Sequence, residues 1–202
     1  MDVGVRMSKL EVSYSNKKLN GGNVMIFNMN SATDCPADAL GMCPLGPKGG
    51  DGTCYAYRPE IFRPAVLPYR RRQEKYWKNQ FCTADFVAAL RKKTEYFRFS
   101  EAGDFRTQED VYKMELVCRA LNKKGIQCYG YTRRIDLGFT HLSKVCNLIV
   151  AEKVVKGCSK AVVLEKGQKL PRGKWHMCPG KNCMVDCRAC ANKNGRIAFP
   201  KH

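Results

Sequence analysis

The amino-acid sequence predicts an α/β protein: a partial (β/α) barrel or an open, mostly parallel sheet, followed by a cysteine-rich C-terminal tail. Three observations predict it. Short apolar stretches rich in β-branched and aromatic residues alternate with segments of helical periodicity. Successive strands are far enough apart for a crossover helix. Four cysteines fall within thirteen residues near the C-terminus. The chain of 202 residues suits one domain with a small appendage.

The predicted organisation has three parts. Residues 1–22 form a polar, lysine-rich N-terminal segment. Residues 23–170 form the α/β domain, with a cysteine loop near its start, and residues 171–202 form a cysteine-rich, metal-binding tail. The apolar content of 44% is enough for a hydrophobic core.

The first half of the domain is predicted as strand, loop, helix and helix. An apolar strand over 24–29 runs into a stretch, 33–57, that is too rich in glycine and proline for a helix or a regular strand. A basic, aromatic helix follows over 68–81, and Thr83 can cap the next one. Loops as long as 33–57 usually carry function.

The second half alternates strands with helices, so that we expect about four to six strands in all. A strand over 94–105 ends in Gly103 and Asp104, and Thr107 with Asp110 has the spacing of a capping box for the helix that follows. The remaining predicted segments are a strand at 126–132, a short helix at 141–146, strands at 147–152 and 161–165, and a short strand near the C-terminus. Since ligands of parallel sheets bind beyond the carboxyl ends of the strands, the residues that follow each strand are expected to share one rim.

The formal net charge of +18, from 36 Lys+Arg against 18 Asp+Glu, favours an anionic partner such as nucleic acid. Arg70, Arg71 and Arg72 lie between aromatic residues in the basic helix and could bind nucleic acid. The alternative is an amphipathic helix with Tyr76 and Trp77 in the core and a solvated basic face. Two further candidates for anion binding, at a strand end, are Arg133 and Arg134.

No segment reads as a signal peptide or as a transmembrane helix, so we expect a cytoplasmic protein without a membrane partner. In that compartment the twelve cysteines favour metal binding over disulfides. Most of the five scattered cysteines are interpreted as small buried hydrophobic residues; the five are Cys82, Cys118, Cys128, Cys146 and Cys158.

Two cysteine groups are candidate metal ligands. Cys35, Cys43 and Cys54, spaced C-x7-C-x10-C, can hold three irons of a [4Fe–4S] cluster and leave the fourth open; the alternative is that they are buried free thiols. The tail group, spaced C-x4-C-x3-C-x2-C, suits either a structural zinc or a second cluster, and His176 could replace one ligand. This second group consists of Cys178, Cys183, Cys187 and Cys190.

Several motifs together resemble the phage gene product 88 family. They are the run CP…C…CYAY followed by a proline and an arginine-rich helix, the strand ending in GDF, the strand YGYT, and the cysteine-rich tail that ends near a short AF strand. The resemblance covers about residues 24–200. Families of this kind look like trimmed relatives of radical S-adenosylmethionine enzymes, which have a partial (β/α) barrel with a three-cysteine loop after the first strand.

The resemblance implies roles for particular residues. The loop cysteines would bind a catalytic cluster and the tail cysteines an auxiliary one, and Tyr55 matches the aromatic neighbour of the third loop cysteine. Gly103 and Asp104 stand where a Gly-Gly-Glu-like element would bind the methionyl amine of S-adenosylmethionine. The loop is more open than the C-x3-C-x2-C of those enzymes, and the chain is shorter.

Three functions are compatible with these observations. The first is an enzyme of radical-SAM-like ancestry that uses an open iron, with a reductase as electron donor. The second is a zinc-bearing module that binds nucleic acid. The third is an electron carrier with two closed clusters.

Overall fold

The computed structural model describes residues 9–14, 19, 23–180, 187–192 and 195–200. Within them, seven strands form one parallel sheet in the order β1-β2-β3-β4-β5-β7-β6. The predicted α/β class is confirmed, and the sheet is open rather than closed into a barrel. The strands are β1 (Val24–Phe27), β2 (Tyr96–Phe99), β3 (Gln127–Thr132), β4 (Asn147–Ala151), β5 (Ser159–Leu164), β6 (His176–Met177) and β7 (Arg196–Pro200).

The helices fill the crossovers between the first four strands. Those between β1 and β2 are α1 (Pro36–Ala39), α2 (Tyr57–Phe62), α3 (Val66–Asn79) and α4 (Thr83–Ala88). The later crossovers contain α5 (Gln108–Asn122) and α6 (Leu142–Val145). As predicted, α5 buries residues at helical spacing, namely Val111, Met114, Val117, Cys118 and Leu121.

The two faces of the sheet have different covers. One face packs against the helices and forms an aromatic core in which Trp77 and Phe86 contact Phe27. The opposite face, which we call the helix-free face, is covered by Leu19 and by the cysteine-rich tail, including Cys190. Both sides of the strands are therefore apolar, as expected of a parallel sheet.

The prediction of a helix with an aromatic core side is confirmed for α3, where Tyr76 is 1% exposed and Trp77 is fully buried. The indole Nε1 of Trp77 donates to Asp110 Oδ1 (2.6 Å). Asp110 also accepts from the backbone N–H of Arg106 (2.8 Å), so this residue of the predicted capping box joins α5 to α3.

Several element boundaries differ from the prediction. The helix that starts at Thr83 ends at Ala88, and Cys82 holds the N-cap position. Strand β2 ends at Phe99 because Ser100 adopts a positive φ of 54°, which an extended strand cannot continue. The loop over 33–57 contains the single-turn helix α1, and β6 is a seventh strand of only two residues.

The tail is integrated into the sheet. Strand β7 lies between β5 and β6, so the last described residues complete the sheet beside the domain rather than standing apart from it. Within the described ranges, no helix has the length and apolar character needed to cross a membrane.

Candidate metal and ligand site at the carboxyl rim

The three cysteines of the loop after β1 lie at the carboxyl rim of the sheet. Cys35 is the N-cap of α1, and Cys43 is buried. The backbone N–H of Cys54 donates to Leu45 O (2.7 Å), which closes the loop on itself. The Cys43 thiol interacts electrostatically with both Cys35 and Cys54. The loop therefore brings the Cys43 thiol within electrostatic range of the other two, although these three described side chains are not arranged around one metal ion.

The loop is folded around the buried carboxylate of Asp38. Its oxygens accept hydrogen bonds from the backbone N–H groups of Lys48 (3.0 Å) and Gly49 (2.8 Å). A Cβ atom at Gly46 would overlap this carboxylate, so glycine is required for so close a backbone approach. The glycine-rich segment therefore gives the loop a defined shape.

A second buried carboxylate, Glu60 of α2, fixes the start of the loop. It accepts hydrogen bonds from the backbone N–H groups of Ala32 (2.7 Å) and Thr33 (2.8 Å). It also forms a 2.6 Å ion pair with Arg70 of α3, whose guanidinium donates to Ala56 O (2.7 Å). The ends of the loop and two helices are thereby joined through one buried ion pair.

Asp104 connects the ends of three strands. Its backbone carbonyl accepts from Asn30 Nδ2 (2.6 Å), and its backbone N–H donates to Asn30 Oδ1 (2.9 Å). Its carboxylate accepts from the Thr132 hydroxyl (2.7 Å) and from the backbone N–H of Arg133 (2.8 Å). Residues that follow β1, β2 and β3 are thus held together beside the cysteine loop, as the shared rim predicts.

Burial governs the protonation of these groups. It raises the pKa of the Asp104 carboxyl to about 6, although three hydrogen bonds oppose the shift. Burial, together with the neighbouring Asp104 charge, raises the pKa of Cys35 to about 12. Burial also raises the pKa of Cys43, against the attraction of Arg133. At neutral pH these two thiols are therefore protonated without a metal, and metal binding must release their protons.

A polar bridge runs from the cysteine loop across the helix-free face to the tail. The Tyr55 hydroxyl donates to Glu101 O (2.8 Å) and accepts from Arg98 Nη2 (3.2 Å). The Arg98 guanidinium lies 5.3 Å from the ring centroid of Tyr131. Burial raises the pKa of Cys190 to about 11, and a hydrogen bond with Tyr131 opposes the rise. Tyr55, the neighbour of Cys54, is thereby connected to the tail cysteine Cys190 through Arg98 and Tyr131.

Two buried polar atoms in and near the bridge have no hydrogen-bond partner among the described residues: Arg98 Nε in the bridge, and Ser100 Oγ just after β2. Ser100 is also one of two non-glycine residues with positive φ in the described ranges; the other is Glu152. Both follow strands at the carboxyl rim. Backbone strain and unpaired buried donors of this kind are typical of ligand sites.

In the tail, the structure places His176 Nε2 3.0 Å from Cys187 Sγ. Cys178 and Cys187 are both electrostatic neighbours of Cys190, and the backbone N–H of Cys178 donates to Ala198 O (2.8 Å) in β7. Cys183, the fourth predicted ligand, lies outside the described residues. In the part of the chain that is described, no group of three or more His, Cys, Asp or Glu side chains is arranged to hold a metal ion.

The predicted anion-binding arginines occupy different environments. Arg70 is buried against Glu60, whereas Arg71 and Arg72 are exposed and form ion pairs with acidic residues, at 3.1 Å to Asp34 and 2.7 Å to Glu11. Arg134 is buried and forms a 2.7 Å ion pair with Asp136. Its guanidinium also donates to the carbonyls of Phe105 (2.6 Å) and Arg106 (2.8 Å). Arg133 interacts electrostatically with Cys43 of the cysteine loop.

Sequence reasoning missed Asn30, Asp38, Glu60 and Arg98. A usable signal existed for Asn30, because a run of polar residues directly after a buried strand marks the carboxyl rim. Asp38 and Glu60 carry no such signal, since an acidic residue in a polar loop usually faces solvent.

A protein-family model described as gene product 88 matches residues 6–151. The chain belongs to the gene product 88 family. The match covers the cysteine loop, Asp104 and strands β1 to β4, and it ends before the tail. Searches of curated proteins and of solved structures gave no match.

Proposed function

We propose that this member of the gene product 88 family binds an iron–sulfur cluster of the [4Fe–4S] type through the thiolates of Cys35, Cys43 and Cys54. The observation that carries the proposal is that these three cysteines lie on one loop at the carboxyl rim, held by two buried carboxylates, with the Cys43 thiol in electrostatic range of the other two. Cysteine thiolates are the usual ligands of such clusters. The carboxyl rim is also where parallel sheets bind their ligands.

The donor set of the loop fits such a cluster. All three thiols are free and at least partly buried, and Arg133 favours the thiolate form of Cys43. In a [4Fe–4S] cluster each thiolate binds a different iron, so the sulfurs need not close around one ion. Three protein ligands leave one iron available to a small molecule.

The finer proposal is radical-SAM-like ancestry, with S-adenosylmethionine as the small molecule and a reductase as electron donor. A reduced cluster supplies one-electron chemistry to a ligand bound at its open iron. The residues of the chain would bind the small molecule and keep water away from it. Asn30 holds the backbone of Asp104, and Arg98, which pairs with Glu101 at 3.5 Å, has its buried Nε available to an acceptor.

A second candidate function is a zinc site in the tail. The observation that favours it is the contact of His176 Nε2 with Cys187 Sγ at 3.0 Å, since imidazole and thiolate together are typical of structural zinc. The ligands would come from His176 and the tail cysteines. Such a site would attach β6 to the rest of the tail, and the exposed Arg71 and Arg72 remain candidates for an anionic partner of a basic zinc protein.

Anaerobic purification, followed by an absorption spectrum and analysis of iron, sulfide and zinc, tests both candidates. The first predicts a broad band near roughly 400 nm and about four irons per chain, or about eight if the tail holds a second cluster. The second predicts about one zinc per chain, lost in His176→Ala and Cys187→Ala. Zinc without iron would overturn the cluster proposal.

The loop ligands are tested with Cys54→Ala, matched by Cys82→Ala, because Cys82 is exposed and outside the site. Cys54→Ala should abolish the cluster of the loop and spare metal in the tail, and Cys82→Ala should change neither. Equal metal content in both variants would contradict the ligand assignment. Reductive cleavage of S-adenosylmethionine by the loaded protein supports the finer proposal, and its absence with an intact cluster favours electron transfer.

A further inference from the structure

A cleft of about 720 Å³ lies at the tail edge of the sheet. It is lined mainly by Lys174, Trp175, His176, Asn192, Gly195 and Arg196. Its volume falls in the range of small-molecule and nucleotide sites. The cleft lies outside the cysteine loop and outside the predicted arginine run.

The indole of Trp175 forms the apolar wall of the cleft. It packs on a cluster formed by Val162, Leu164 and Ala198 of β5 and β7, which fixes the ring against the sheet. The side chain of Lys160 and that of Arg196 approach the ring, with the Lys160 Nζ and Arg196 Cζ atoms each 6.0 Å from its centroid. The cleft thus combines an anchored aromatic ring with cations around it.

The cations of this cleft differ from those of the arginine run in their partners. Arg70, Arg71 and Arg72 each form an ion pair with a carboxylate. Among the described residues, Lys160, Lys174 and Arg196 form no ion pair with a carboxylate. In a chain of net charge +18, these are positive charges still available to an outside anion.

We propose that the Trp175 cleft binds single-stranded nucleic acid, with phosphates at Lys160, Lys174 and Arg196 and a base against Trp175. Aromatic rings set among cations bind single strands because unpaired bases can stack and phosphates follow the positive groove. A duplex keeps its bases stacked inside and cannot use the ring in this way. The cleft shares His176 with the candidate zinc site, but the proposal requires neither a cluster nor zinc.

The test uses the intrinsic fluorescence of the full chain. The protein has two tryptophans, and Trp77 is fully buried in the core, so quenching by an added ligand reports on Trp175. The probe is oligodeoxythymidine of about twelve nucleotides. We expect saturable quenching, and a slope of log affinity against log salt of about −2 for three phosphate contacts.

Lys174→Gln and Arg196→Gln should each flatten the salt slope by about 0.7 and weaken binding. The matched control is the pair Lys123→Gln and Lys124→Gln, which are exposed at the end of α5 and do not line the cleft. Trp175→Phe keeps an aromatic ring, so binding followed by the anisotropy of a labelled oligonucleotide should weaken by less than in Trp175→Ala, where about a 5- to 100-fold loss is expected.

Three results would overturn the inference. One is an oligonucleotide titration that leaves tryptophan fluorescence unchanged. Another is a duplex, or free inorganic phosphate, that binds as tightly as the single strand. The third is an equal loss of affinity in the Lys123 and Lys124 variants, which would show that binding depends on net charge rather than on the cleft.

Discussion

Arg70 is the residue through which α3 holds the cysteine loop. Its guanidinium is buried, forms an ion pair with Glu60 and donates to Ala56 O, while the adjacent Arg71 forms its ion pair at the surface. Three consecutive arginines therefore have unlike roles. The sequence does not distinguish the three arginines, because which side of α3 faces the core depends on how the helix packs in the fold.

Arg70→Met should lower the free energy of unfolding by about 3–5 kcal/mol, since it leaves the buried Glu60 carboxylate without its cation. Arg71→Met should change it by less than about 1 kcal/mol, because surface ion pairs contribute little. Urea denaturation of both variants measures the difference. Similar midpoints for the two variants would show that Glu60 does not depend on Arg70.

Asp104 makes stability depend on pH. Its pKa is raised by burial to about 6 in the folded protein, against 3.8 for an ordinary aspartate. Between these two values the folded state binds the proton that the unfolded state has lost. Its contribution to stability is therefore fully present below about pH 4 and is lost as pH rises through about 6.

We take the free energy of unfolding of the metal-free wild-type protein and subtract that of Asp104→Asn. This difference should fall by about 2 kcal/mol from pH 4 to pH 7.5. The subtraction removes the titration of every other group, because both proteins share those groups. Denaturation at a series of pH values gives the curve. A difference that stays level with pH would mean that Asp104 titrates near its ordinary value.

At the scale of elements, Gly103 lets the segment that follows β2 pack closely against Asn30, which follows β1. The φ of Gly103 is +70°, and a Cβ atom there would overlap Asn30 Oδ1. Gly125, after α5, has a similar φ of +79° but open space around its Cα. Substitutions at the two glycines therefore separate the cost of the left-handed backbone conformation from the cost of lost space for a side chain.

Gly103→Ala should destabilise the protein by about 3 kcal/mol, from the left-handed backbone and the clash with Asn30. Gly125→Ala carries only the backbone penalty, about 1 kcal/mol. Thermal or urea unfolding of the pair checks the prediction. If both variants lose the same stability, the contact with Asn30 is dispensable.

The elements that could be predicted are those with strong local patterns. The sequence of helix α5 and of strands β1 to β5 shows apolar patterns, and the structure has a helix or a strand at each of these places. The boundaries at Ala88 and Phe99 could not be predicted, since they depend on tertiary packing and on the backbone of Ser100. The two-residue strand β6 exists only through β7, so nothing local could have indicated it.

The candidate site was predicted only in outline. The cysteine loop and Asp104 follow strands, and their common edge could be inferred from a parallel sheet. The buried carboxylates of Asp38 and Glu60 accept hydrogen bonds from backbone groups that only the folded loop brings near. Whether the thiols hold a cluster stays a prediction.

For the whole molecule, the tail is part of the main fold. Ile197 and Ala198 of β7 are almost fully buried, and Cys190 packs on the helix-free face. Removal of the tail would expose the edge of β5 and much of that face. An exposed parallel edge beside an apolar surface favours aggregation.

A chain ending at residue 170 should therefore lose cooperative unfolding, bind the dye ANS and aggregate, whereas the full chain should unfold in one transition. Circular dichroism and light scattering of the two proteins measure this. A shortened chain that unfolds cooperatively and stays monomeric would show that residues 171–202 form a separate unit.

The position of β7 between β5 and β6 also has a consequence for biosynthesis. The ribosome makes β6 before β7, yet β6 pairs with β7 and reaches the sheet only through it. While β7 is still being synthesised, His176 and Cys178 lack the backbone partner that later aligns them. The cysteine loop, encoded far upstream, can fold earlier. Assembly of the rim thus precedes assembly of the tail, and any metal in the tail would be acquired last.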